Sequence, residues 1–178
     1  LQMNRTNDAA PPPARGKGPA GTIAKLLAIA LAMSPAAPAL AQYRHEIAND
    51  LDRCSGEGSA VMVTVEGVKS SSGRLRVQTY RATAAEWMAK GKWLARVDVP
   101  ARAGTMRVCL PVPGPGSYGV AVRHDVNGNG ETDIMSDGGG MSNNPSINVF
   151  NLGKPNVAKV AFPVGGGPRA IRIQMKYM

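Results

Sequence analysis

Histidine and aromatic side chains are scarce in this chain. Two histidines serve 178 residues, and the aromatic set is two tryptophans, four tyrosines and two phenylalanines. His124 is the one histidine in the body of the chain. It serves a hydrolytic zinc site poorly, because such a site wants three nitrogen or carboxylate ligands and an open position. No aromatic run interleaves the scattered cations, so the formal charge of +9 does not read as a nucleic-acid surface. Long apolar runs are missing as well. The stretch from Leu26 to Met33 is far too short to span a bilayer, and no phosphate-cradling glycine loop leads into a helix.

Cysteine is limited to one pair, Cys54 and Cys109. An even pair in an exported domain reads as a disulfide, whereas two thiols alone make a poor zinc site. Chain entropy gives such a bridge about 4 kcal/mol at most, less any strain.

The expectation of export comes from the first forty residues. Arg5, Arg15, Lys17 and Lys25 form a basic region loosened by Pro11-Pro12-Pro13. Leu26 to Met33 is a short apolar core broken by Ser34-Pro35, and Ala39-Leu40-Ala41 supplies the small residues that signal peptidase needs. Residues 1–41 are therefore expected to be a signal peptide, 42–53 a flexible N-terminus of the mature chain, and 54–178 one domain. No cysteine near the cleavage site calls for a lipid anchor. The expected location is the periplasm or the exterior, with no transmembrane segment in the mature chain.

From Ala60 onward the apolar period is two. Val61, Val63 and Val65 share a face; after the turn chemistry of Ser70 to Gly73, Leu75, Val77 and Thr79 share another, and the two runs read as a hairpin. Thr83 with Glu86 is a capping box and Gly91 a stop, so a short helix is expected over Thr83 to Lys90. Trp87 and Trp93 are expected to cover a sheet edge or core end. Further strands are expected over Leu94 to Val99, Met106 to Val112, Ser117 to Arg123, Val157 to Val164 and Ala170 to Tyr177. The whole reads as an all-β, antiparallel Greek-key β-sandwich of about seven strands, with one short helix and a long Asp/Asn/Gly loop.

That loop carries the chemistry. Asp125, Asn127, Asn129 and Asp133 stand at positions 1, 3, 5 and 9 of a calcium-loop pattern, with the Glu131 carbonyl at 7 and Gly130 at 6. Position 12 is Ser136 instead of a bidentate glutamate, and Asp137 lies one residue beyond. The expected ligand set is Asp125, Asn127, Asn129, Glu131, Asp133 and Asp137, with Ca2+ as the ion. Asp/Asn-Gly runs also make turns without metal. Gly138-Gly139-Gly140 is expected to be a turn or a flexible link, and Met135 and Met141 are too few thioethers to argue for copper. A Ser142, His124 and Asp125 triad is not expected, since adjacent residues on a strand point to opposite faces. His124 is instead expected to be a structural hydrogen-bonder.

Pro115-Gly116-Ser117-Tyr118-Gly119-Val120-Ala121-Val122, then His124-Asp125-Val126-Asn127-Gly128-Asn129-Gly130, then Gly140-Met141-Ser142-Asn143-Asn144 resembles the bacterial exported family called domain of unknown function 2141. Gly119 stands where that family usually has alanine, and Met141 where it usually has phenylalanine. The resemblance runs from about Cys54 to Tyr177. It implies a sandwich similar to transthyretin-like and carboxypeptidase-regulatory-like domains, and no known activity.

The expected function is a non-enzymatic exported module that binds Ca2+ in the Asp125–Asp137 loop and presents it to a protein or glycan partner in the cell envelope. The alternative is a metal-assisted enzyme using His124, Asp125 and Asp133.

Overall fold

The computed structural model describes residues 45–146 and 153–178. The expected signal peptide and residues 42–44 lie outside the described residues, and no described helix is long and apolar enough to cross a membrane. Among the described residues ten strands form: β1 (His45–Glu46), β2 (Ala60–Val68), β3 (Arg74–Arg81), β4 (Ala95–Pro100), β5 (Gly104–Pro111), β6 (Gly116–Asp125), β7 (Gly138–Met141), β8 (Phe162–Val164), β9 (Pro168–Gln174) and β10 (Lys176–Tyr177). The larger sheet runs β1-β4-β3-β6-β7-β10 with β8 paired to β6; the smaller runs β5-β2-β9.

The all-β sandwich is as expected, with more strands than the seven or so anticipated. Val61, Val63 and Val65 of β2, Val108 and Leu110 of β5 and Ile173 of β9 meet Leu75, Val77, Val97, Val120 and Val122 of the larger sheet in one core. Burying each such side chain is worth about 1.5–3 kcal/mol. Pairing is mostly antiparallel, but β1 runs parallel to β4 and β2 parallel to β9.

The expected β2–β3 hairpin does not form. β2 pairs with β5 and β9, and β3 pairs with β4 and β6. Alternation fixes which face of a strand is apolar, not which neighbour it takes. Here the two apolar faces meet across the sandwich, and residues 69–73 arch from one sheet to the other. Gly73 (φ 71°) lies so close to the backbone carbonyls of Asp125 and Val126 that a Cβ would strike them.

The expected helix over Thr83 to Lys90 is a single turn. The Trp87 N–H reaches the Thr83 carbonyl at 2.9 Å, but Met88 adopts φ 51° and ends it. The turn delivers Trp87, 1% exposed, onto the outer face of the larger sheet. Its ring packs edge-on to Tyr80 at 5.5 Å, its Nε1–H donates to the Pro155 carbonyl at 3.0 Å, and it lies against Gly119, where an added Cβ would stand 2.8 Å from it. The absence of a side chain at Gly119 makes the room that Trp87 uses. Trp93 sits beside the same cluster, with the Arg96 guanidinium 5.9 Å over its ring.

Cys54 and Cys109 are bridged, with Cα atoms 5.9 Å apart. The bridge ties a 3-10 turn (Leu51–Cys54) to β5. The segment expected to be a flexible N-terminus is, from His45 on, fastened to the domain: β1 pairs with β4, and Asn49 exchanges hydrogen bonds with Arg107 and Cys109 of β5, both at 3.0 Å.

Two C-terminal strands also differ from expectation. Residues 157–159 form a 3-10 turn ahead of β8, and the last strand breaks at Met175 into β9 and β10. Gly138-Gly139-Gly140, expected as a turn, forms most of β7 and pairs with both β6 and β10. Three residues without side chains give no periodicity to read, yet close packing demands them. The Tyr177 ring lies directly against Gly138, and a Cβ on Gly140 would stand 2.7 Å from Ile173.

Candidate binding loop and adjoining cleft

β6 ends at Asp125 and β7 begins at Gly138, so the loop between them is anchored by a carboxylate at each end. Asp125 is 4% exposed and Asp137 7% exposed. The Asp125 carboxylate accepts the N–H groups of Gly128 and Gly130, each at 2.8 Å. Asp137 accepts those of Val126 (3.1 Å) and Asp133 (3.0 Å). Between them Asn127 accepts the Asn129 N–H at 3.0 Å and Asn129 accepts that of Glu131 at 2.8 Å. Gly128 and Gly130 supply the positive φ values, 74° and 82°, that let the backbone coil round these oxygens.

Asp125, Asn127, Asn129 and Asp133 are thus gathered on one coil, with Asp137 bonded to its base. The Asn127 and Asn129 amides both donate to one oxygen of Asp133, at 2.7 and 2.9 Å. The Glu131 side chain is exposed. Among the described residues no group of three or more His, Cys, Asp and Glu is already disposed as a metal cage. The donor set is nonetheless of the oxygen type that a hard cation takes. To complete it, Asn127 and Asn129 would turn their amide oxygens toward Asp133 in place of their N–H groups. Arg123 braces the loop from outside, donating to the Gly130 carbonyl (2.9 Å) and Thr132 (3.0 Å), 3.6 Å from Asp125.

His124 points the other way, into the sandwich, and is fully buried. Its Nε2 lies 2.8 Å from the Ser72 carbonyl and its Nδ1 2.7 Å from the Tyr177 hydroxyl. That hydroxyl also accepts the Lys69 N–H at 2.9 Å. Burial pushes the Tyr177 phenol above its ordinary pKa, and the Lys69 N–H opposes this. Ser142 is engaged too, donating to the Val160 carbonyl (2.6 Å) and accepting the Val120 N–H (3.0 Å). Ser142, His124 and Asp125 therefore do not meet.

The Ser142-Asn143-Asn144 box is a bracket. Asn143 and Asn144 adopt φ 62° and 51°. Asn143 donates to the Ala161 carbonyl at 2.9 Å; Asn144 donates to the Arg172 carbonyl at 3.2 Å and accepts the Gln174 N–H at 2.8 Å. It joins β7 to the approach to β8 and to β9. Its residue types fit ligand binding equally well, so only the placement of their partners reveals the structural role.

Beside the loop opens a cleft of about 780 Å3, lined by Met88, Met141, Met175 and Met178 together with Ile134 and Tyr177. These methionines come from separate segments, and no spacing in the sequence connects them. Farther along the outer face, Asp98 lies between Arg76 (2.9 Å) and Arg96 (2.8 Å). Burial disfavours the Asp98 carboxylate, but the two guanidiniums outweigh it and hold its pKa below the ordinary value.

The family model described as "Uncharacterized protein conserved in bacteria (DUF2141)" matches residues 63–172. The chain belongs to the DUF2141 family. The matched span takes in most of β2, all of the loop and most of β9, so the loop and the bracket are parts of the DUF2141 domain itself. No curated protein and no solved structure matches the chain.

Proposed function

We propose that this DUF2141 domain is an exported, non-enzymatic binding module. It takes up Ca2+ in the Asp125–Asp137 loop and presents the stiffened loop to a protein or glycan partner of the cell envelope. The observation that carries this reading is the coil around Asp125. The position-1 carboxylate grips the position-6 glycine N–H at 2.8 Å, which draws the residues at 125, 127, 129 and 133 onto one coil. Long loops on a rigid sandwich are where binding usually resides. The disulfide supports an oxidising compartment.

The loop lacks a bidentate glutamate at position 12, so its affinity should match weak extracellular modules, with Kd about 0.1–1 mM. At about 1 mM calcium the tighter limit stabilises the fold by about 1.4 kcal/mol, a few degrees in Tm. Calorimetry with calcium and with chelator tests this. Asp125→Ala should abolish the shift, and a wild-type Tm indifferent to 10 mM calcium (about ten times the weaker limit) removes calcium from the reading.

The alternative, a metal-assisted enzyme using His124, Asp125 and Asp133, gains nothing from the geometry. The imidazole is turned into the core with both nitrogens bonded, away from the two carboxylates it would have to join.

A further inference from the structure

The loop contains the only two Asn-Gly pairs in the sequence, Asn127-Gly128 and Asn129-Gly130. The calcium reading makes no use of their reactivity. The carbonyl carbon of an asparagine side chain can be attacked by the backbone nitrogen of the next residue, which closes a cyclic imide. Glycine, with no Cβ, leaves that nitrogen uncrowded. All four residues are exposed, so water reaches them.

The coil holds every group that such a closure involves. The Gly128 and Gly130 nitrogens, the nucleophiles, donate to the two oxygens of Asp125, each at 2.8 Å. The Asn127 and Asn129 side-chain carbonyls, the electrophiles, accept the N–H groups of Asn129 (3.0 Å) and Glu131 (2.8 Å). Those donors point to where negative charge gathers when the carbonyl is attacked. The amide nitrogens that would leave both donate to Asp133 Oδ2, at 2.7 and 2.9 Å. The same three contacts therefore recur at both pairs. Asn156 shows that a turn alone does not make the set. Its Oδ1 also accepts the N–H two residues on, at 2.9 Å, but the next nitrogen belongs to Val157, whose branched side chain crowds it. Asn144 precedes Pro145, whose nitrogen carries no hydrogen.

We propose that Asn127 and Asn129 are sites of self-deamidation, promoted by the coil that holds them. The glycine nitrogen bonds to the side-chain carbon as its proton passes along the hydrogen bond to Asp125. The bond from that carbon to the amide nitrogen breaks, and the nitrogen takes up the released proton and leaves as ammonia. Water then opens the imide at one of its two carbonyls, giving aspartate or isoaspartate. Water is the one co-reactant. Each conversion replaces a neutral amide with a carboxylate, and where the product is aspartate it places a charged ligand at position 3 or 5 of the loop. That consequence rests on the calcium reading; the conversion itself does not.

The test incubates the full chain, folded and in chelator, and follows the peptide carrying both pairs by mass spectrometry. Loss of ammonia and then gain of water are expected at 127 and 129, while Asn49, Asn143, Asn144 and Asn156 keep their amides. The same chain unfolded in guanidinium lacks the coil and should convert at least about tenfold more slowly. Asp125→Asn keeps the size of the side chain but cannot take up the proton, and should slow both sites at least about tenfold. A retained Tm shows that this variant is folded; where Tm falls, the guanidinium comparison decides alone. Asn127→Gln should leave Asn129 converting, and Asn129→Gln should leave Asn127 converting. The proposal is overturned if the folded chain keeps both amides, if the unfolded chain converts as fast, or if folded Asp125→Asn converts at the wild-type rate. Conversion in a chain whose Tm ignores calcium upholds the proposal and overturns only the calcium reading.

Discussion

The Tyr177 hydroxyl and His124 Nδ1 lie 2.7 Å apart, and the direction of that hydrogen bond is fixed by its neighbours. The Ser72 carbonyl can only accept, so Nε2 carries the imidazole proton and Nδ1 is the acceptor. The Lys69 N–H occupies the phenol oxygen as a donor, which leaves the phenol proton for Nδ1. The relay runs Lys69 N–H to Tyr177 O–H to His124, and from His124 Nε2–H to Ser72.

The first prediction follows from that relay. Nitrogen NMR should show His124 as the Nε2–H tautomer. Tyr177→Phe strands a buried acceptor and should cost about 1–3 kcal/mol, read from urea unfolding. A protonated Nδ1 in the wild type would contradict the relay.

Glycines in the larger sheet give the second. Gly138→Ala and Gly140→Ala push a methyl into Tyr177 and Ile173, and Gly119→Ala pushes one into Trp87. Each should cost about 1–3 kcal/mol by overpacking. Gly139→Ala meets nothing within 4 Å and should stay within about 0.5 kcal/mol. Gly119→Ala should lower Tm, with a change in Trp87 fluorescence.

The third concerns acid. Asp98 has a folded pKa below its unfolded value of about 3.9. Its contribution is therefore present above pH of about 4 and lost as pH falls through the folded pKa. Asp98→Asn should lose about 1.5–3 kcal/mol at pH 7 and show a shallower decline of stability below pH of about 4. Unfolding midpoints across pH 2 to 7 (roughly the span in which carboxylates titrate) measure both.

The fourth concerns the disulfide. Reduction, or paired Cys54→Ser and Cys109→Ser, should cost about 2–4 kcal/mol. The loss should appear first as faster hydrogen exchange in the 3-10 turn (Leu51–Cys54) and the facing end of β5.

Alternation made the strands legible, and Val61, Val63 and Val65 face inward as their period requires. It could not tell a hairpin from an arch, because both place the same faces toward the core. The Thr83–Glu86 box does start a turn; the sequence carries no sign that Met88 will enter the left-handed region. The coil of the loop was readable because its Asp, Asn and Gly residues lie within one short stretch. The cleft was not, because Met88, Met141, Met175 and Met178 come together only after β7, β9 and β10 are in place.

The parallel pairing of β2 with β9 sets Ala60 beside Pro168, so the central strand of the smaller sheet lacks one neighbour until nearly the whole sequence is available. Contacts of such sequence separation form slowly, over milliseconds to seconds. A chain emerging from a ribosome therefore cannot close this sandwich from its front end. It stays open for as long as its last strands are still to come.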